Sequence, residues 1–279
     1  MGAVHGVYLK YVGLSAVSYA GYSFVLHSTN ETELALIADG FQKLIQSGMT
    51  GQLSGMSAKS LMTIGAAAVL KYSAYLNGAV AILFKAEWGM SMLGKVPKTG
   101  QIPWWSYLLY FPFHLPSILY TYVHAAKDAN KKKKVPWASE VQPGWWVGGC
   151  YSNLLNKDWG GVIDLTVEFP ERCINRTQEY LLVATWDGVP PTPERLDHAA
   201  QFAVDARKKG DVLIHCAHGR GRSTTLMCAA LVKAGLFPTW QEAFEKGIKP
   251  GRSVCKLNRR MRDTLTEWQD KFVYQKKET

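Results

Sequence analysis

More is legible in Asp211-Val212-Leu213-Ile214-His215-Cys216-Ala217-His218-Gly219-Arg220-Gly221-Arg222-Ser223-Thr224 than anywhere else in the 279 residues. The apolar run Val212 to His215 predicts a buried strand, Cys216 to Arg222 a seven-residue loop, and the Leu- and Ala-rich run from Ser223 a helix. That order makes an anion cradle. With Gly219 and Gly221 relaxing the backbone, the N–H groups of Ala217, His218, Gly219, Arg220, Gly221 and Arg222 converge at a helix N-terminus, where the macrodipole favours negative charge. Arg222 adds a planar fork that can bind two phosphate oxygens together. In the same field Cys216 is expected as a thiolate, hence a nucleophile at neutral pH. Ser223 can donate a hydrogen bond to that thiolate, and His215 is read as positioning the loop.

A nucleophile beneath a bound phosphate attacks phosphorus, and expelling an alkoxide or phenoxide then needs a proton donor. The sequence offers Asp187 in Thr185-Trp186-Asp187-Gly188-Val189-Pro190-Pro191, a loop stiffened by prolines and freed by Gly188, 29 residues before Cys216. A loop of that kind can close over a site and deliver the acid. Asp164 is the rival acid, but it lies within the apolar run Val162-Ile163-Asp164-Leu165 and reads as structural.

At these residues the chain resembles the protein tyrosine phosphatase superfamily, in its compact dual-specificity branch. The signature of that branch is His-Cys, five residues, Arg, then Ser or Thr, and His215, Cys216, Gly219, Arg222 and Ser223 fill it. The resemblance implies a phosphocysteine intermediate on Cys216 and phosphate binding by Arg222. It also implies that Asp187 protonates the leaving group and then activates water, with no metal or other cofactor. It covers residues 136–275, about half the chain. One departure concerns Asp187: the Pro usual between Trp and Asp in the larger tyrosine-specific enzymes is missing.

Around the motif, Trp145-Trp146-Val147, Val162 to Leu165 and Tyr180 to Val183 read as further strands. Helices are predicted at about Pro193–Lys209, Ser223–Ala234, Trp240–Lys246 and Val254–Tyr274. Thr239 and Glu242 form a capping box for the third, and Val254, Leu257, Met261, Leu265, Trp268 and Phe272 line one face of the last. The alternation predicts an α/β class: a mainly parallel central sheet flanked by helices.

The first half has a different texture. The chain carries Lys+Arg 32 against Asp+Glu 22, yet residues 1–126 hold only 7 lysines, no arginine and 4 acidic residues. Three apolar segments, about 7–26, 61–84 and 102–124, approach the ~20 residues that cross a bilayer. The third is the strongest candidate, with Trp104, Trp105 and Tyr107 at one end and Tyr120 and Tyr122 at the other, although Pro112 and Pro116 would bend it. An α-helical membrane-associated region over 1–126 is therefore expected, then a polybasic linker over 127–135 whose lysines place the catalytic part on the cytosolic side. Leu34 to Ile45 suits an amphipathic helix.

Five cysteines, Cys150, Cys173, Cys216, Cys228 and Cys255, show no metal-ligand spacing and fit a reducing compartment. No aromatic-interleaved basic stripe suggests nucleic acid. A domain of about 140 residues leaves little chain for a deep cleft, so the expected substrate is a phosphoprotein at a membrane. A phospholipid is the alternative, since His218 and Arg220 add basic character to the loop. A catalytically inactive phosphate-binding adaptor is the non-enzymatic alternative.

Overall fold

In the computed structural model, the structure describes residues 4–29, 58–129 and 134–274. The amphipathic segment Leu34 to Ile45 lies outside them. By contacts the chain divides into two compact units, one of Tyr8–Lys85 and the other of Ala86–Thr279 with Met1–Val7. Residues 86–126, grouped by composition with the N-terminal region, thus belong with the α/β layer.

The first unit pairs helices α1 (Val4–His27) and α2 (Ala58–Ala86). Ser15 donates its hydroxyl to the Ala74 carbonyl at 2.8 Å, and the Tyr11 and Phe84 rings lie 5.0 Å apart. Asn77, polar in an apolar stretch, is buried and donates to the Ser73 carbonyl of its own helix. Val17, Phe24, Met62 and Ile82 are exposed. Among the described residues, α2 is the one helix long and apolar enough to cross a membrane, by length and composition.

The segment 102–124 is not one span. It divides into α3 (Trp104–Leu109) and α4 (Phe111–Ala129), separated at Tyr110. Pro112 at the second position of α4 needs no amide hydrogen, so the helix restarts there at little cost, and Pro116 lies inside it. Lys127, Asp128 and Ala129 complete α4, so the linker read from 127 does not begin there.

The sheet runs β1-β2-β5-β3-β4, with β1 Ala138–Gln142, β2 Trp145–Gly148, β3 Trp159–Thr166, β4 Thr177–Thr185 and β5 Val212–His215. Only β1 with β2 is antiparallel, so the sheet is mainly parallel as expected. Strand β3 is buried at every residue, as a central strand covered on both faces must be. Strand β1 escapes a sequence reading because Ser139, Glu140 and Gln142 are polar; its signal is the turn at Pro143-Gly144, where Gly144 has φ +78°.

Helices α5 (Pro193–Arg207) and α6 (Arg222–Lys233) cover the sheet. Thr192 caps α5 ahead of Pro193, and Ala199, Ala200, Ala203 and Ala206 form a buried small-residue stripe. The approach to β3 is close: a Cβ on Gly161 would lie 2.5 Å from the Ala206 Cβ. Thr239 accepts from the Glu242 amide as the capping box requires, heading α7 (Trp240–Glu242), which widens into a π-turn over Ala243–Ile248. The last helix, α8 (Arg259–Gln269), starts five residues later than its periodicity suggests. Asn258 accepts from the Met261 amide and caps it, while the Lys256 amide goes instead to the Arg220 carbonyl at 2.7 Å.

Candidate active site

The site forms at the carboxyl ends of the parallel strands β3, β4 and β5, where open α/β sheets place ligands. Strand β5 ends at His215, and α6 begins at Arg222 with an all-buried first turn. Between them the loop carbonyls are bonded one after another. Ala217 accepts from the Cys150 amide (3.1 Å), His218 and Gly219 from the Arg252 guanidinium (3.3 and 2.9 Å), Arg220 from the Lys256 amide and Gly221 from the Thr225 amide. A carbonyl and the following N–H point oppositely across a planar peptide. Fixing these carbonyls therefore turns the N–H groups the other way, as a cradle needs.

The two loop glycines have different roles. Gly219 has φ +65°, and a Cβ there would lie 2.5 Å from the Gly148 backbone. Gly221 has an ordinary φ of -118°, so it is not a source of backbone freedom as the sequence reading supposed; its hydrogen leaves room for the Met261 methyl.

Cys216 is 4% exposed, and its Sγ lies 3.4 Å from the Ser223 hydroxyl. Burial alone would raise its pKa. The Arg222 charge, the Ser223 hydroxyl and the amides of Ser223 and Arg220 outweigh burial and hold the thiol below the ordinary cysteine range. By contrast, Cys150 is pushed up to about 12 by burial and the Glu168 charge, and Cys228 is raised by its burial in α6. All five cysteines are free thiols.

Arg222 is buried and held by partners the sequence did not disclose. Its Nη2 lies 2.6 Å from Glu168 Oε1, and Nη1 donates to the carbonyls of Thr185 (2.6 Å) and Leu165 (2.9 Å). Its Nε is buried with no hydrogen-bond partner among the described residues. Asp187, more than one third exposed, lies 3.4 Å from Arg222 Nη2. The loop carrying Asp187 is anchored on both sides: Trp186 donates to the Trp88 carbonyl at 2.7 Å, and Asn258 donates to the Gly188 carbonyl at 2.8 Å.

Behind the loop lies a buried charge cluster. His215 Nε2 is 2.6 Å from Glu171 and 3.9 Å from Asp164, and Lys95 Nζ is 2.5 Å from Asp164. Burial opposes the imidazolium, but the Glu171 and Asp164 charges prevail and raise His215 to about 9. Asp164 is thereby structural, as expected. The ligand atoms of Asp164, Glu171 and His215 lie within 4.8 Å of one another, a grouping that could suit a metal. Lys95 and the protonated His215 already balance the two carboxylates.

Helix α4 forms a wall beside the cradle. Asp128 binds Arg220 at 2.5 Å, and the His218 ring lies 4.6 Å from His124 and 5.8 Å from Tyr120. Burial here lowers His218 to about 4, despite the nearby Asp187 charge. His218 is therefore neutral at pH 7, and the basic character read into it is absent.

No family model matches the chain. Among solved structures the chain is similar to phosphatases of the dual-specificity and tyrosine type, over about half its length. In particular, it is 19% identical to a mouse putative dual specificity phosphatase complexed with zinc tungstate, covering 53% of this chain and 95% of that one, with a TM-score of 0.46. With PTPMT1 in complex with PI(5)P the identity is 21%, the coverage 50% and 99%, and the TM-score 0.42. A human tyrosine phosphatase-like serine/threonine/tyrosine-interacting protein matches at 19%, covering 48% and 95%, with a TM-score of 0.41.

Proposed function

We propose that the chain is a cysteine-dependent phosphate monoester hydrolase held at a membrane, its catalytic unit on the cytosolic side. One observation carries this reading: a low-pKa thiol at the base of a loop whose carbonyls from Ala217 to Gly221 are bonded, beside a buried Arg222 Nε that has no acceptor among the described residues. A buried donor without a partner costs about 1–3 kcal/mol, and an oxyanion oxygen would satisfy it. The amides of Ala217, His218, Gly219, Arg220, Gly221 and Arg222 bind the other oxygens.

The Cys216 thiolate attacks phosphorus, and the bond from phosphorus to the leaving oxygen breaks as the Asp187 carboxyl gives that oxygen a proton. The Asp187 carboxylate then takes a proton from water. That water attacks phosphorus, and the sulfur–phosphorus bond breaks with the Ser223 hydroxyl donating to the departing thiolate. His215 holds the loop from behind through Glu171. The substrate is a phosphoprotein at the membrane. A phospholipid is the second reading, favoured by the apolar helix α4 beside the cradle.

Hydrolysis of a generic aryl phosphate by the full chain in detergent, measured beside Cys216→Ser, tests the chemistry. Turnover is expected only with Cys216. Equal turnover by the two proteins overturns the assignment to Cys216, and no turnover by either leaves a phosphate-binding adaptor.

A further inference from the structure

Helix α4 is amphipathic in an inverted sense. Its inner side buries Phe113, His114, Thr121 and Asp128 and meets the Trp186 ring and Arg220. Its outer side carries Leu115, Leu119, Tyr122 and Val123, each at least 40% exposed. Their three- and four-residue spacing sets them in one stripe. Helix α3 adds Trp104 and Leu108, 77% and 69% exposed. Single exposed apolar side chains are ordinary, but a stripe on an otherwise well-packed unit marks a contact surface.

We infer that the outer face of α3 and α4 lies on an anionic lipid bilayer, in the plane of the interface. Charge supports that occupant: the exposed Lys127 ends the stripe, and Lys131 to Lys134 follow in the sequence, a cationic run of the kind that binds anionic headgroups. Side-chain type supports it too, since Trp104 and Tyr122 combine an apolar ring with a polar atom, as residues at the headgroup level do. So does covalent continuity, because the unit begins at Ala86, where the apolar helix α2 ends. A helix lying flat needs neither an unbroken span nor freedom from prolines, which accounts for the break at Tyr110. The inference is independent of the chemistry at Cys216.

The test places an environment-sensitive fluorescent amino acid at Leu119 in the full chain, reconstituted in phosphatidylcholine–phosphatidylglycerol vesicles. The same probe at Lys208, exposed at the end of α5, serves as reference. Unchanged thermal unfolding of both labelled proteins shows that each is folded. The expected result is blue-shifted emission at 119, quenched by a lipid-borne quencher, with neither effect at 208. Emission at 119 as solvent-like as at 208 overturns the inference. So does a blue shift that the lipid-borne quencher does not touch, which would mean that protein covers this face.

Discussion

Asp187 and Glu168 both face Arg222, and their surroundings separate their roles. Glu168 is buried, bonded to Arg222 and to the Val167 amide, and thus fixed as a counter-charge. Asp187 is the more exposed of the two and sits on a loop whose ends are anchored by Trp186 and Asn258, which leaves its carboxyl available to a leaving group. Asp187→Ala is therefore expected to slow hydrolysis of alkyl phosphates by about 10²–10⁴-fold, the usual worth of a general acid, while activated aryl phosphates suffer far less. Steady-state rates on a series of leaving groups measure this; equal slowing across the series would remove Asp187 from the acid role. Its motif was legible because its cues are local, Gly188 and two prolines beside a strand end. Glu168 was not, since its partner Arg222 is 54 residues away and nothing in Val167-Glu168-Phe169 announces that contact.

Strand β5 and the turn after β3 share the pair His215–Glu171, and this pair gives stability a pH dependence. His215 in the folded protein has a pKa near 9, above the 6.5 of an unfolded chain. The folded state binds the proton more tightly, so the stabilisation is complete below about pH 6.5 and fades as pH rises through about 9. Urea midpoints should fall across that window, and Glu171→Gln should flatten the slope. A slope that survives the substitution would assign the dependence to other groups. At this level the strands β2 to β5 and helices α5 and α6 were readable because apolar period and capping residues are written locally. The start of α8 was not, because the run from Val254 to Leu257 keeps a helical period while the Lys256 amide is drawn to the Arg220 carbonyl instead.

For the molecule as a whole, the main departure from the sequence reading is where the α/β unit begins. Lys95 lies outside the region of resemblance, yet it supplies the buried cation for Asp164 and also bonds the carbonyl and hydroxyl of Thr166. Gly100 and Gln101 bond the Glu171 backbone, and Trp88 accepts from Trp186. Composition could not show this, because a lysine 69 residues from its partner looks like any surface lysine. Removing one partner of a buried ion pair typically costs about 3–5 kcal/mol. Lys95→Met in the full chain is expected to lose about that much, and Asp164→Asn to cost less in the Lys95→Met background than alone. Strict additivity in this double-mutant cycle, read from denaturant melts, would show that the pair is not coupled. A fragment starting at Pro136 should be destabilised for the same reason.

The pairing of Asp128 with Arg220 bears on what the cradle can accept. Both of its arginines already have an internal anion, Arg220 in Asp128 of α4 and Arg222 in Glu168, so an incoming monoester would meet the Arg222 Nε and a ring of amides. A ligand with a second anionic group next to the first would have to compete with Asp128 for Arg220. If the cradle binds phosphate as proposed, discrimination between singly and multiply phosphorylated ligands would then fall to a helix that the Cys-x5-Arg signature does not include.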